Sequence, residues 1–237
     1  MNASYLGFQA SLYPFLPFLY YEAYKVRKTR EKLPSLSESL SVGKGIKKIL
    51  ILGESTAAGV GASSPEKSLG SRIHHFLKND STVKILGKNG LKVSEVLPTF
   101  SDQLEKINGD YEGIFLFLGG NDCFRLTHPQ NYRSELQKLI RTLEEMFSPH
   151  WIYLADIPPV YSFPAFSPFV KYFMIRQRKF LQREMKKISM DNPKVIFDEI
   201  SLNLNPDFFS RDGIHPSDCG YEEIAKFAID GLKRRGL

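Results

Sequence analysis

The sequence predicts an α/β fold: a three-layer α/β/α sandwich with a five-stranded parallel, flavodoxin-like sheet. From Ile46 onward, short apolar runs alternate with amphipathic stretches, the pattern of parallel strands joined by crossover helices. The chain has 237 residues and 42% hydrophobic content, which suits one sizeable core. No Pro/Gly/Ser-rich linker divides its middle, and no internal repeat is visible.

The strand candidates are KKILILG, TVKILGK, GIFLFLGG, HWIYLAD and PKVIFDE. Between them lie helical patterns. In NYRSELQKLIRTLEEMF, Leu136, Leu139, Ile140, Leu143 and Phe147 recur at spacings of three and four. The last stretch, GYEEIAKFAIDGLKRR, puts Ile224, Phe227, Ala228 and Leu232 on one face, with basic residues in its final turn.

Ahead of this domain (residues 46–237) stands a segment of different composition, residues 1–45. Residues 4–21 carry no charged side chain, so their length approaches that of a short membrane span. Pro14, Pro17 and several tyrosines speak for the membrane interface instead. The positive charge follows the apolar stretch, which is the wrong order for a cleaved signal peptide. The expectation is a membrane anchor or interfacial element, with the catalytic domain on the cytoplasmic side because the Lys/Arg cluster lies between them. The alternative is an arm packed on the domain's own surface. LPSLSESLSVGKG, residues 33–45, reads as a linker.

The net charge of +6 is unevenly placed. Residues 25–32 and 171–187 together hold +10, leaving −4 for the remainder, and each basic run follows an aromatic one. Apolar aromatic surface beside Lys/Arg fits an anionic lipid headgroup layer better than nucleic acid. The aromatic, proline-rich run 161–173 reads either as a core-packed loop or as a wall for an acyl chain. Cys123 and Cys219 have no scaffold-like or metal-like spacing and read as free thiols.

In open parallel sheets the functional loops gather at the carboxyl ends of the strands. There the first strand gives Gly53-Glu54-Ser55, the second leads to Gly90, and the third ends in Gly119-Gly120-Asn121-Asp122. Past the fifth comes RDGIHPSDCGY, with Asp212 and His215 three apart. Taken alone, Ser55 is an ordinary turn or helix-capping residue. The neighbouring glycines fit neither a dinucleotide-binding turn, since Ser64 stands where the third Gly belongs, nor a P-loop. Ala57 likewise breaks the G-x-S-x-G elbow.

Taken together, these residue types are those of acyl transfer. A serine hydroxyl needs a base, for which His215 is suited, and Asp212 can hold the other ring nitrogen. The backbone N–H groups of Ser55 and Gly90 and the side-chain amide of Asn121 can supply an oxyanion hole. His74, His75, His128 and His150 have no such company, and Asp122 reads as a structural neighbour of Asn121.

These four blocks, GESTAAG, KNG, GGND and DGIH, resemble the SGNH, or GDSL-type, hydrolase family, in family order across residues 47–221. The N-terminal apolar lead and the proline-rich loop after the fourth strand are similar to a bacterial subgroup. The resemblance implies the SGNH hydrolase fold and a carboxylic ester hydrolase, esterase or lipase-like, with no metal and no cofactor. The implied substrate is a small or lipid-like acyl ester. Lysophospholipase, thioesterase or acyl-transfer variants of the same chemistry stand beside it, as does a catalytically silent membrane adaptor. The family's usual Asp before the nucleophile is Glu54 here.

Overall fold

The computed structural model describes residues 3–77, 80–107, 109–202 and 204–237. Residues 1 and 2 of the N-terminal segment lie outside the described residues. Six strands form one sheet: β1 (Ser39–Val42), β2 (Lys47–Gly53), β3 (Ser81–Gly87), β4 (Gly113–Phe117), β5 (Trp151–Ala155) and β6 (Val195–Asp198). Their spatial order is β1-β3-β2-β4-β5-β6. The five expected strands are all present and mutually parallel, in the flavodoxin-type order.

β1 corrects the five-strand expectation. It lies inside the stretch that reads as a linker and pairs antiparallel with β3, Ser39 opposite Leu86 and Val42 opposite Val83. Its four residues alternate between exposed and half-buried, so it has no apolar run to betray it. What holds it is backbone pairing on an otherwise open edge, which also covers that edge.

Side chains of β2 to β5 alternate between two apolar layers, as the two-residue period of a strand requires. Leu50, Leu52, Ile114, Leu116, Ile152 and Leu154 face α4 (Val93–Glu105), α6 (Pro129–Phe147) and α7 (Pro168–Asp191). Ile49, Ile51, Val83, Ile85, Phe115 and Tyr153 face α3 (Leu69–Phe76) and α8 (Asp218–Lys233). Burial on both faces explains why the strands read as continuous apolar runs.

The N-terminal segment folds as two helices, α1 (Ala3–Leu12) and α2 (Leu16–Thr29), joined by a 3₁₀ turn at Tyr13-Pro14-Phe15. α1 belongs to the core of the domain. Tyr5, Phe8 and Leu12 are buried, and Tyr5 and Phe8 both pack on Phe180 of α7. Burying each such side chain contributes about 2 kcal/mol, so α1 is firmly docked. α2 has no fully buried residue and rests on α7 through the contact of Phe18 with Phe169, which Phe15 of the preceding turn also touches. Among the described residues no helix is long and apolar enough to cross a membrane.

The basic run on α7 is in part used internally. Arg178 bonds Asp156 at 2.6 Å, Lys187 bonds Glu184 at 2.7 Å, and Lys186 pairs with Glu199. Its charge is therefore less available to an external partner than its sequence suggests. Both cysteines are free, Cys123 buried and Cys219 exposed.

Candidate active site

The order of the strands fixes where the site falls. β2 is flanked by β3 on one side and β4 on the other, so chain connections leave it in opposite directions and a crevice opens beyond its carboxyl end. Gly53 is in register with both Gly87 and Phe117, so three strands end level. The Ser55 turn, the Gly90 loop and Asn121 start from that common edge.

The Ser55 turn is packed tightly against it. A methyl on Gly87 would lie 2.4 Å from the backbone nitrogen of Ala58, so only glycine lets β3 approach this closely. The turn itself is closed by Ala58 N–H to Glu54 carbonyl (2.9 Å) and Val60 N–H to Ser55 carbonyl (3.1 Å). From outside, Ser37 donates its N–H to the Ala58 carbonyl and its hydroxyl to the Ala57 carbonyl, both at 2.9 Å. The Tyr221 hydroxyl of α8 donates to the Val60 carbonyl at 2.7 Å. Thus the segment before β1 and the last helix both brace the turn.

Glu54 carries the most consequential contacts. Its carboxylate accepts the Gly120 N–H (2.8 Å), the Asn121 N–H (2.9 Å) and one N–H of the Asn121 side-chain amide (2.5 Å). It thereby ties the residue before Ser55 to the start of α5 (Gly120–Phe124). An amide NH₂ has two hydrogens, so the Asn121 side chain keeps a second donor while Glu54 fixes its plane. Burial raises the Glu54 pKa from 4.5 to about 7, opposed by these same N–H donors and helped by the nearby Asp122 carboxylate. Asp122 accepts the Val93 N–H at 2.9 Å, which fastens α5 to the start of α4 just after the Gly90 loop. It has the structural role its position suggests.

The Asp212–His215 pair sits in a tight turn permitted by Gly213 at φ +67°. One carboxylate oxygen of Asp212 accepts from the Ser210 hydroxyl and from the backbone N–H groups of Ile214 and His215, at 2.9 to 3.0 Å. The other lies 2.5 Å from His215 Nδ1. Burial raises the Asp212 pKa, but the hydrogen bond and charge of His215 and the backbone donors outweigh it, leaving it at about 2. Asp212 is consequently an anion at any ordinary pH.

Ser55, Gly90, Asn121, Asp212 and His215 all line one cavity of about 1420 Å³, larger than the common range for small-ligand sites. Every site residue named from the sequence thus lies on the wall of one cavity, and of these Asp212 and His215 are in direct contact. Phe163 and Phe166, from the aromatic run after β5, form part of its wall while packing on Phe124. That run is both core-packed and cavity-lining. The opposite side is α2, with Leu16, Leu19, Ala23 and Val26.

Sequence reasoning missed three features here. Ser37 has no motif to mark it. Glu54 was recognised as a departure from the family pattern, but its partners lie 66 and 67 residues away. α2 shows polar and apolar residues on the same stretch, and nothing local says that one side faces a cavity.

Glu54 is thus a positioning residue for Asn121, and its titration has a definite sign. Because its folded pKa is raised, its stability contribution is full below about pH 4.5 and is lost as pH rises through about 7. The urea midpoint of the wild type should therefore fall relative to that of Glu54→Gln between pH 5 and pH 8. Parallel midpoints would contradict this. Glu54→Gln should also lower kcat on a soluble ester by up to about a hundredfold with KM little changed, and Glu54→Asp should recover part of the loss.

Comparison with known proteins accords with this geometry. The model of the GDSL-like lipase/acylhydrolase family matches residues 51–223, well over half of the chain. A comparison with curated proteins gave no match. Among solved structures, the chain is similar to the psychrotrophic esterase EstA from Pseudoalteromonas sp. (19% identity, TM-score 0.62, covering 79% of this chain and 97% of that one). It is also similar to a member of the lipolytic G-D-S-L family from Veillonella parvula (15%, TM-score 0.65, 79% and 99%). A third similar structure is Axe2, an acetylxylan esterase from Geobacillus stearothermophilus (15%, TM-score 0.56, 81% and 96%). At these identities the likeness is one of fold, and the family match carries the assignment. The chain belongs to the GDSL-like lipase/acylhydrolase family and is an ester-hydrolysing enzyme.

Proposed function

We propose that this protein hydrolyses a small or lipid-like acyl ester through an acyl-serine intermediate, with Ser55 as nucleophile, His215 as base and Asp212 as its partner. The observation that carries the reading is the 2.5 Å contact between Asp212 and His215 Nδ1 on the wall of the cavity that Ser55 also lines.

Ser55 Oγ attacks the carbonyl carbon as His215 Nε2 takes its proton, and the C=O π electrons move onto oxygen. Asp212 holds the Nδ1 proton and stabilises the imidazolium that forms. The N–H groups of Ser55 and Gly90 and the second amide hydrogen of Asn121 receive the oxyanion, each such donor commonly contributing about 3 to 4 kcal/mol. Collapse breaks the bond to the leaving alkoxide, which takes the proton from His215. Water then repeats the sequence and releases the acid. Ser55→Ala and His215→Ala should each reduce hydrolysis of a short-chain chromogenic ester by roughly a thousandfold or more. Rates equal to the wild type in either variant would overturn the assignment.

The exposed side of α2 supports contact with an anionic membrane surface. Tyr13 in the 3₁₀ turn and Tyr21 on α2 are exposed outside the cavity lining, and Lys25 and Lys28 follow on α2. Tyrosines favour the headgroup layer, and basic residues favour the anionic lipids of a cytoplasmic leaflet. The docked α1 and the absence of a span-length helix among the described residues suit an interfacial attachment rather than a crossing. The full chain should co-sediment with phosphatidylglycerol vesicles, bind phosphatidylcholine vesicles weakly, and lose most of its binding in high salt. Failure to bind either vesicle would refute the attachment.

A further inference from the structure

Resting on the hydrolase reading, we propose that α2 is the outer wall of an acyl-chain compartment. The acyl chain of the substrate, joined to Ser55, would lie between α2 and the aromatic loop after β5, so that α2 sets the chain length the enzyme accepts. Four observations lead there.

The cavity that begins at Ser55, Asn121 and His215 is continuous with an apolar space far larger than acetate or butyrate needs, about 1420 Å³ in all. Its walls away from the chemistry include an apolar part, where Leu19, Ala23 and Val26 on α2 line the same space as Phe163, Phe166 and Met174 of the body, beside charged residues such as Arg27, Arg30 and Glu31. The apolar part gives a methylene chain an apolar environment, worth about 0.8 kcal/mol per buried CH₂.

The residues that α2 turns to the cavity recur at three and four, Leu16, Leu19, Ala23 and Val26 with Tyr20, Tyr24 and Arg27 beside them, so one broad side of the helix faces it. Its hold on the core is lighter than that of α1: Leu16 and Leu19 pack against it half-buried, whereas α1 contributes three fully buried side chains. The Tyr13-Pro14-Phe15 turn separates α2 from the docked α1. Finally, α2 precedes residue 51, where the family match begins, so the match does not include this wall.

Ala23 is exposed, and it lines the cavity, so a larger side chain there fills the compartment without entering the core. The test measures kcat/KM of the full chain on p-nitrophenyl acetate, butyrate, octanoate and laurate, each below its micelle concentration. The wild type should prefer octanoate or laurate. In Ala23→Trp the laurate-to-acetate ratio of kcat/KM should fall at least tenfold. Thr29→Trp places the same bulk on the same helix at an exposed residue outside the cavity wall and should keep the wild-type ratio. An unchanged ratio in Ala23→Trp, or an equal fall in Thr29→Trp, overturns the compartment while leaving the hydrolase reading intact. A folded wild type that cleaves none of the four esters overturns both.

Discussion

A single buried carboxylate joins the two halves of the site. Glu54 leaves the central strand one residue before Ser55 and accepts three N–H groups from the first residues of α5. The bonds fix the distance between the Ser55 turn and the Asn121 amide, which follow different strands. They also consume the free N–H groups at the start of a short helix, which would otherwise be left without partners. The cost is the burial of a charge, visible as the upward displacement of its pKa to about 7. A longer side chain than the family's usual Asp reaches these donors from the same turn.

Everything else at the site depends on how level the strand ends are. Gly53, Gly87 and Phe117 share one register line, and glycine at position 87 allows the Ser55 turn to sit directly on it. The Asp212–His215 turn comes from a distant part of the chain and is shaped mainly by its own hydrogen bonds, three of which end on one Asp212 oxygen. It needs the sheet only for its location. The site is thus a rigid platform, made of strand ends, met by a self-contained turn.

The five parallel strands were legible because burial on both faces makes them continuous apolar runs; Ser55, Gly90 and Asn121 stood out as candidates because they follow the ends of such runs, and Asp212 and His215 by their spacing of three. β1 was not legible, because a four-residue edge strand with Ser39 and Ser41 depends on backbone pairing that leaves no mark in composition. Glu54 was visible as an oddity, yet its function comes from donors 66 and 67 residues away. The N-terminal segment was the hardest to read. Its apolar and aromatic residues go to the core for Tyr5 and Phe8, to solvent for Tyr13 and Tyr21, and to the cavity wall for Leu16 and Leu19, and only tertiary packing distinguishes these fates. Among the basic residues of 171–187, Arg178, Lys186 and Lys187 are held in ion pairs with partners that the composition of the run does not indicate.

The central claim is that Ser55 is an activated nucleophile within this constellation. It is tested most directly by reacting the folded chain with an alkyl fluorophosphonate, digesting it and locating the added mass. The account predicts one adduct, on Ser55, formed by the folded wild type and absent from His215→Ala under the same conditions. An adduct on another residue, or none on the folded wild type, would contradict it.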